Sequence, residues 1–188
     1  YLEQLDTLAS FKENRRYALL NLMKAYFIEG RYKKSLNYTE RVLELPDLEP
    51  NLKWDAWYIK ANSALAIKDS ITAAETYRLI ENNSPNTNHR AEALYFKSVQ
   101  LFEEAAFAQS NNVIAKIAEL GNSNGIWNVK SLILLAKNYN ALEDPFQANF
   151  VLESVIENFQ EYPEEIEEAQ RLLAQFNEPL NETANANK

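Results

Sequence analysis

Few residues in this sequence could carry out catalysis. The single histidine, His89, lies in the polar stretch NSPNTNHR, and there is no cysteine. No HExxH, GxSxG, P-loop or GxGxxG pattern occurs, and three glycines are too few to build a phosphate-binding loop. A lone histidine in a polar loop is expected to be solvated. We therefore predict a protein that is not an enzyme and needs no cofactor.

Two clusters of carboxylates are the other residues with ligand-binding chemistry. Glu103 and Glu104 form one, and four glutamates within 164–168 form the other. Carboxylate oxygens bind Ca²⁺ and Mg²⁺, but the second cluster follows Pro163, a residue suited to the first position of a helix. Acidic side chains there stabilise the positive end of the helix dipole. We predict solvated helix residues and no metal site.

The composition restricts the class of partner. The 188 residues carry a formal charge of −8, with a pI of about 4.8, whereas proteins that bind nucleic acids or anionic membranes are usually basic. No run of about 18 apolar residues could insert into a bilayer. The lack of cysteine suits the cytoplasm and a bacterial cell envelope or periplasm equally, so the compartment stays open. Because the sequence begins at Tyr1 and not at Met, we expect a fragment or a processed product.

The balance of residue types predicts an all-α protein. Apolar residues make up 46% of the chain, while glycine occurs three times and proline six times. So few helix breakers favour helices throughout. In residues 25–46, AYFIEGRYKKSLNYTERVLELP, two helical stretches meet at Gly30 and the second ends at Pro46. This helix-turn-helix unit recurs along the chain.

Pairs of small or slim residues reveal the repeat. In each pair, one residue lies in the first helix of a unit and the other lies 12 positions later, in the second helix. The pairs are Met23 with Ser35, Ala61 with Ala73, Ser98 with Ser110, and Ala136 with Ala148. The pairs therefore recur with a nearly constant period of about 38 residues, as expected of a repeat array. Antiparallel helices approach to about 8–10 Å where side chains are short, so each pair predicts the crossing point of a helical hairpin.

The pattern resembles the tetratricopeptide repeat (TPR), a helix-turn-helix unit of about 34 residues that stacks into a right-handed α-solenoid. In the first unit, the matching residues are Leu19, Leu22, Tyr26, Gly30, Tyr32, Ser35, Val42 and Pro46. The third unit departs from the family, since Ala105 replaces the usual turn glycine, and Glu143-Asp144-Pro145 makes the turn of the fourth. We place the extra length of each unit in the loops at 46–50 and 83–88.

The resemblance implies an order of segments. The fourth unit is similar to the last repeats of long TPR proteins from Bacteroidetes, which implies a bacterial protein. The expected segments are the end of a preceding repeat helix (1–10), TPR-like repeats 1 to 4 (11–49, 50–87, 88–124 and 125–161), a capping helix (162–177) and a polar C-terminal tail (178–188). Residues 1–10 imply further repeats upstream. An apolar stripe with Leu172 and Leu173 would cover the fourth repeat, and Pro179 would end the capping helix.

In TPR proteins the first helix of each unit lines a concave groove, so the resemblance places a partner site there. The expected groove residues are Tyr17, Leu20, Lys24, Phe27, Asp55, Tyr58, Asn62, Glu92, Tyr95, Phe102, Lys130 and Lys137. Aromatic rings would provide contact area, and polar groups would fix the register of a bound segment. We expect Tyr58, Tyr95 and Phe102 to form one ladder, with lysines toward its ends.

One family function is disfavoured. TPR proteins that clamp a C-terminal carboxylate use Lys, Asn and Arg in the groove. Here Lys24 is the only basic match, because Ile59, Glu92 and Phe96 occupy other such positions. The resemblance therefore argues against capture of a chaperone tail.

Two functional hypotheses remain. The first is a non-catalytic scaffold that binds a peptide or helix of a partner protein in the concave groove. The alternative is an architectural spacer or capping segment of a longer repeat protein, which could self-associate. In that case the groove side chains would pack within the superhelix or against missing repeats.

Overall fold

The computed structural model describes residues 2–8, 12–121 and 125–185, and all regular structure within these ranges is α-helical. The helices are α1 (Leu2–Leu8), α2 (Lys12–Ile28), α3 (Tyr32–Leu43), α4 (Pro50–Ala66), α5 (Ser70–Asn83), α6 (Thr87–Glu103), α7 (Phe107–Glu119), α8 (Gly125–Ala141), α9 (Pro145–Asn158) and α10 (Pro163–Asn185). The all-α class expected from composition is confirmed. The chain forms two compact units, Tyr1–Arg90 and Ala91–Lys188.

In unit 1, helices that follow one another in sequence pack side by side, from α1 to α5, and α2 also contacts α4. Leu19, Met23 and Val42 form the core between α2 and α3, and Ala56 and Ile59 extend it to α4. These residues recur at helical spacing, so each helix buries one stripe.

Helix α1 is held on unit 1 by charge as well as by packing. Asp6 is only 7% exposed. Its carboxylate accepts a hydrogen bond from Arg41 Nη2 at 2.7 Å and lies 3.6 Å from Arg15 Nε. Because this acid is nearly buried, the two arginines compensate a charge that would otherwise be costly.

Unit 2 shows the same consecutive packing, with α7 on α8, α8 on α9, and α10 against both α9 and α8. Val129, Leu152 and Val155 are fully buried in its largest core cluster. From α10, Ala169 and Leu172 enter this cluster, and Leu173 packs at its edge. The apolar stripe expected on the last helix therefore lies against α8 and α9.

Four residues with a positive φ angle make the turns of the hairpins. They are Gly30, Lys68, Ala105 and Glu143, with φ of 70°, 63°, 57° and 61°. They recur with the same period as the small-residue pairs, and a helix begins at the second position after each. Although Ala105 is not a glycine, it takes the left-handed conformation in its turn. A left-handed residue of this kind ends a helix by allowing its last carbonyls to be bonded.

The starts of α5 and α9 have a local cause. The side chain of Asp69 accepts a hydrogen bond from Thr72 N, and that of Asp144 accepts one from Gln147 N, both at 3.1 Å. Each aspartate satisfies a backbone donor that the first turn leaves free. Pro145 then occupies the first helical position of α9.

The small residues expected at the crossing points are all fully buried, at 0% exposure. Two of the pairs are in direct contact. Ser35 Oγ donates to the carbonyl of Met23 at 3.1 Å, and Ser110 Oγ donates to that of Ser98 at 2.9 Å. The 12-residue spacing thus corresponds to facing positions of two antiparallel helices.

One expectation about length was only partly right, and a second was wrong. The loop expected at 83–88 is present but has only three non-helical residues, 84–86, because α5 ends at Asn83 and α6 begins at Thr87. The first helix of each hairpin is long, since α2, α4, α6 and α8 have 17 residues each. Helix α10 also continues past Pro179 to Asn185. A proline removes one backbone hydrogen bond and need not end a helix when the next turns continue it.

Candidate functional site

The groove residues of unit 1 surround a small cleft between α2 and α4. Its volume is about 200 Å³, and its lining consists of Lys24, Phe27, Ile28, Asp55, Tyr58 and Ile59. Ile59 is buried, whereas Phe27 and Tyr58 are half-buried and pack against the core of unit 1. The cleft therefore has an apolar floor that belongs to the hydrophobic core.

The rim of this cleft combines an ion pair with an exposed apolar side chain. Lys24 Nζ lies 3.3 Å from Asp55 Oδ2, and both side chains are nearly half exposed. Such a pair contributes about 0–1 kcal/mol, so a ligand could replace either partner at little cost. Ile28 is 83% exposed and provides apolar area that folding leaves uncovered.

His89 differs from the expected solvated loop residue. It lies in the first turn of α6, half-buried, with its ring stacked on Tyr58 at 4.2 Å between centroids and 12° between planes. Its buried Nδ1 has no hydrogen-bond partner among the described residues. Burial lowers the pKa of His89, and the Asp55 carboxylate opposes that shift. The polar stretch NSPNTNHR predicted a solvated loop, whereas its last four residues form the start of α6.

The remaining groove residues of unit 1 have mixed roles. Tyr17 is 58% exposed and available for contact. Leu20 is half-buried against the core. Asn62 Nδ2 donates to the carbonyl of Tyr58 within α4, at 3.2 Å, which leaves its amide oxygen as the group to meet a ligand.

In unit 2, both groove lysines are paired with acids of α10. Lys137 Nζ lies 2.6 Å from Glu168 Oε1, and Lys130 Nζ lies 3.9 Å from Glu165 Oε1. These glutamates were expected to be solvated residues of a helix start. Lys137 and Glu168 have the same separation along the chain as the paired Lys24 and Asp55, so the two ion pairs recur at corresponding positions. The sequence shows this recurrence only once one of the two pairs is known.

The aromatic residues of unit 2 have separate ring partners. Tyr95 lies 5.5 Å from Trp127 between centroids, and Phe102 lies 5.5 Å from Phe107. Burial raises the pKa of Tyr95, and the carboxylates of α10 add to that effect. The ladder that would join Tyr58 to Tyr95 and Phe102 stays a prediction.

A polar cleft of about 190 Å³ lies beside these residues, lined by Tyr95, Lys130, Ile133, Leu134, Lys137 and Glu168. Glu92, which we expected at the groove surface, is only 4% exposed. Its carboxylate therefore does not serve as a rim charge. The charges of this face are largely satisfied by the chain itself.

A larger cleft in unit 1 was not anticipated from the sequence. Its volume is about 430 Å³, and its lining includes Lys12, Arg15, Arg16 and Arg41 together with Glu13, Glu44 and Asp47. Asp6 pairs with two of the arginines. Because acids and bases are balanced there, the cleft has no charge preference for an anion.

The described residues form neither a cluster of metal ligands nor a membrane-spanning helix. Within 2–8, 12–121 and 125–185, no three His, Asp or Glu side chains converge as metal ligands would. Glu103 and Glu104 are exposed at the end of α6. No helix of the described chain combines the length and the apolar character needed to cross a bilayer.

No protein-family model matches the chain, and no curated protein shows significant sequence similarity to it.

Proposed function

We propose that this chain is a non-catalytic scaffold that binds a peptide or helix of a partner protein on the face formed by its long helices. Its architecture would be a right-handed α-solenoid of four TPR-like repeats with α10 as the capping helix. Support comes from the four left-handed turns at matching intervals and from the fully buried crossing residues. A comparison of α10 with α8 also supports a cap. Gln170 is exposed on α10, whereas the corresponding position of α8, one period earlier, is the partly buried Leu132.

The observation that carries the functional proposal is the cleft between α2 and α4. Its apolar floor includes Phe27 and Tyr58, and Ile28 at its rim is almost fully exposed. A volume of about 200 Å³ suits one apolar side chain of a partner. The neighbouring Lys24–Asp55 pair offers both a donor and an acceptor to the partner's backbone or charged groups.

Affinity capture with the full chain, followed by calorimetry with each purified partner, tests the proposal. Ile28→Asp places a charge on the rim without disturbing the core, so binding should weaken by about tenfold or more. Ile71→Asp is the matched control, because Ile71 is 75% exposed on α5. Helical circular dichroism should be unchanged in both variants. Partners that bind Ile28→Asp as tightly as the parent would contradict the cleft as the site.

The alternative, an architectural spacer, is favoured by a specific feature of unit 2. There, α10 supplies glutamates to Lys130 and Lys137, so this part of the face is occupied by the chain's own charges. A spacer would show no partner that depends on the cleft. Sedimentation of the full chain would then report either a monomer or self-association that Ile28→Asp does not affect.

A further inference from the structure

Helix α9 carries two exposed phenylalanines. Phe146 is 76% exposed and Phe150 is 61% exposed. Because they are one helical turn apart, their side chains are neighbours on one face of the helix, roughly 5–6 Å apart at Cβ. Residues on the other face, such as Leu152 and Val155, are fully buried. We term Phe146 and Phe150 the phenyl patch.

The other three hairpins show that the fold does not require these rings. The second helix of each hairpin begins at the second position after the left-handed turn residue, so the third and seventh positions after that turn correspond. At these positions α3 has Lys33 and Asn37, α5 has Ile71 and Glu75, and α7 has Ala108 and Asn112, all exposed or partly exposed. Both positions are therefore exposed in the second helix of every hairpin, but only α9 has aromatic rings at both of them.

Two adjacent exposed rings form a surface of the kind that partners cover. A phenylalanine buries roughly 150–250 Å² when it is covered, so the phenyl patch offers apolar area on the order of 200–300 Å². Single exposed apolar residues need no explanation, whereas contiguous patches of a few hundred Å² are often functional. Rigid aromatic side chains also lose little entropy on binding.

The rim of the phenyl patch is acidic. Glu153 and Glu157 are exposed and follow Phe150 along the same stripe of α9, at the third and seventh positions after it. Glu143 is exposed in the turn that precedes the helix. Within the described chain, none of these three glutamates is paired with a basic side chain, unlike Glu165 and Glu168 of α10.

We propose that the phenyl patch docks an amphipathic helix of a partner protein, with apolar residues three or four positions apart and flanking Lys or Arg residues. The apolar residues would cover Phe146 and Phe150, and the basic residues would meet Glu143, Glu153 and Glu157. This surface belongs to α9 and is separate from the cleft of the proposed function.

The acidic rim favours a basic amphipathic helix over two other occupants, a second copy of the chain and an anionic membrane. A second copy of the chain, paired symmetrically through the patch, would bring one acidic rim against another. A membrane with anionic lipids would be repelled by the same glutamates. A basic amphipathic helix gains from both the apolar and the acidic parts of the surface.

A phage-displayed library of random peptides, selected on the full chain, tests the proposal. The informative variant is Phe146→Ala with Phe150→Asn, which gives α9 the residues that α7 has at these positions. Ile71→Ala is the control for loss of an exposed apolar side chain elsewhere. We expect peptides with apolar residues at helical spacing and basic flanks. Their affinity should fall about tenfold or more in the double variant and stay unchanged in the control.

Two further readouts address the chemistry of the site. Glu153→Gln with Glu157→Gln should weaken the same peptides, as should high salt. Circular dichroism of each variant should match the parent, since the changed residues are exposed. The proposal is overturned if no selected peptide depends on the phenyl patch, or if the dependent peptides are acidic.

The competing occupants give distinct results. Sedimentation that shows a dimer of the parent and a monomer of the double variant would assign the patch to self-association. Binding to phosphatidylcholine vesicles, with or without phosphatidylserine, that is lost in the double variant would assign it to a lipid surface. Either result overturns the proposal of a protein helix.

Discussion

The side-chain amide of Asn138 donates a hydrogen bond to the hydroxyl oxygen of Ser110, 2.9 Å away in the buried interior of unit 2. Ser63 and Ser35 have the same relationship in unit 1, at 3.3 Å, and the two pairs have the same separation along the chain. Each accepting serine also donates to a backbone carbonyl of the preceding long helix. One buried hydroxyl therefore connects three helices in each unit.

The first prediction concerns this connection. Ser110→Ala should cost about 1–3 kcal/mol, because one amide hydrogen of Asn138 loses its buried acceptor while Nδ2 stays bonded to Asn111 Oδ1 at 2.7 Å. Ser110→Ala combined with Asn138→Leu should recover most of that loss, since both polar partners are then replaced by apolar groups. Unit 2 already has such a combination at the corresponding positions one period later, in Ala148 and Phe176.

Urea denaturation of the two variants and the parent would measure these effects. If the double variant were no more stable than Ser110→Ala, the hydrogen bond would not be the reason for the loss.

The second prediction concerns the crossing of α8 and α9 that we expect at Ala136. Ala136 is fully buried, and Ala136→Leu should overpack the crossing and cost about 1–3 kcal/mol. Ala141→Leu is the matched control on the same helix, because Ala141 is exposed. Thermal melts should show a lower midpoint for the first variant only. An unchanged midpoint for Ala136→Leu would contradict close packing at this position.

The third prediction concerns α10 as a cover for the core of unit 2. Leu172 is 6% exposed and lies in the main core cluster, so Leu172→Ala should cost about 2–5 kcal/mol. Gln170→Ala, at an exposed position of the same helix, should have little effect. Chemical denaturation would compare the free energies of unfolding of the two variants.

Removal of α10 gives a related result. Truncation before Pro163 should expose the apolar residues of α8 and α9 and promote association, because the end of a helical stack needs a polar outer face. Light scattering would detect this association. A truncated chain that stays monomeric and melts like the parent would show that α10 is not a cap.

The fourth prediction concerns pH. Burial holds the pKa of His89 below its ordinary value of 6.5. The unfolded chain therefore takes up a proton near pH 6.5 that the folded chain resists. The contribution of His89 to the free energy of unfolding is thus fully present above pH 6.5, and it is lost as the pH falls through the folded-state pKa.

His89→Phe keeps a ring to stack on Tyr58 and removes this titration, so its stability should vary less than that of the parent just below pH 6.5. Because the chain has one histidine, a single imidazole proton signal would report the folded-state pKa by NMR. A midpoint at or above 6.5 would contradict the effect of burial.

The sequence by itself determined the helical class, the pairing of helices and the positions that face each other inside a hairpin. These properties depend on local signals: apolar residues at helical spacing, small residues at crossings, and Pro163 at a helix start. Such signals act over one or two turns of chain, so they can be read without knowing how distant segments meet. The small-residue pairs are the clearest case, since all their members are fully buried.

The tertiary structure decided how neighbouring hairpins meet. The contacts of Asn138 with Ser110, of Lys137 with Glu168 and of His89 with Tyr58 each join residues of different hairpins or of the last hairpin and α10. Periodicity shows which face a residue occupies, but it does not show which side chain on the next hairpin lies opposite. That choice depends on the rotation of one packed helix against another, because a shift of one residue turns a helical side chain by about 100°. For this reason the sequence placed Lys130 and Lys137 in the groove but did not predict their pairing with Glu165 and Glu168.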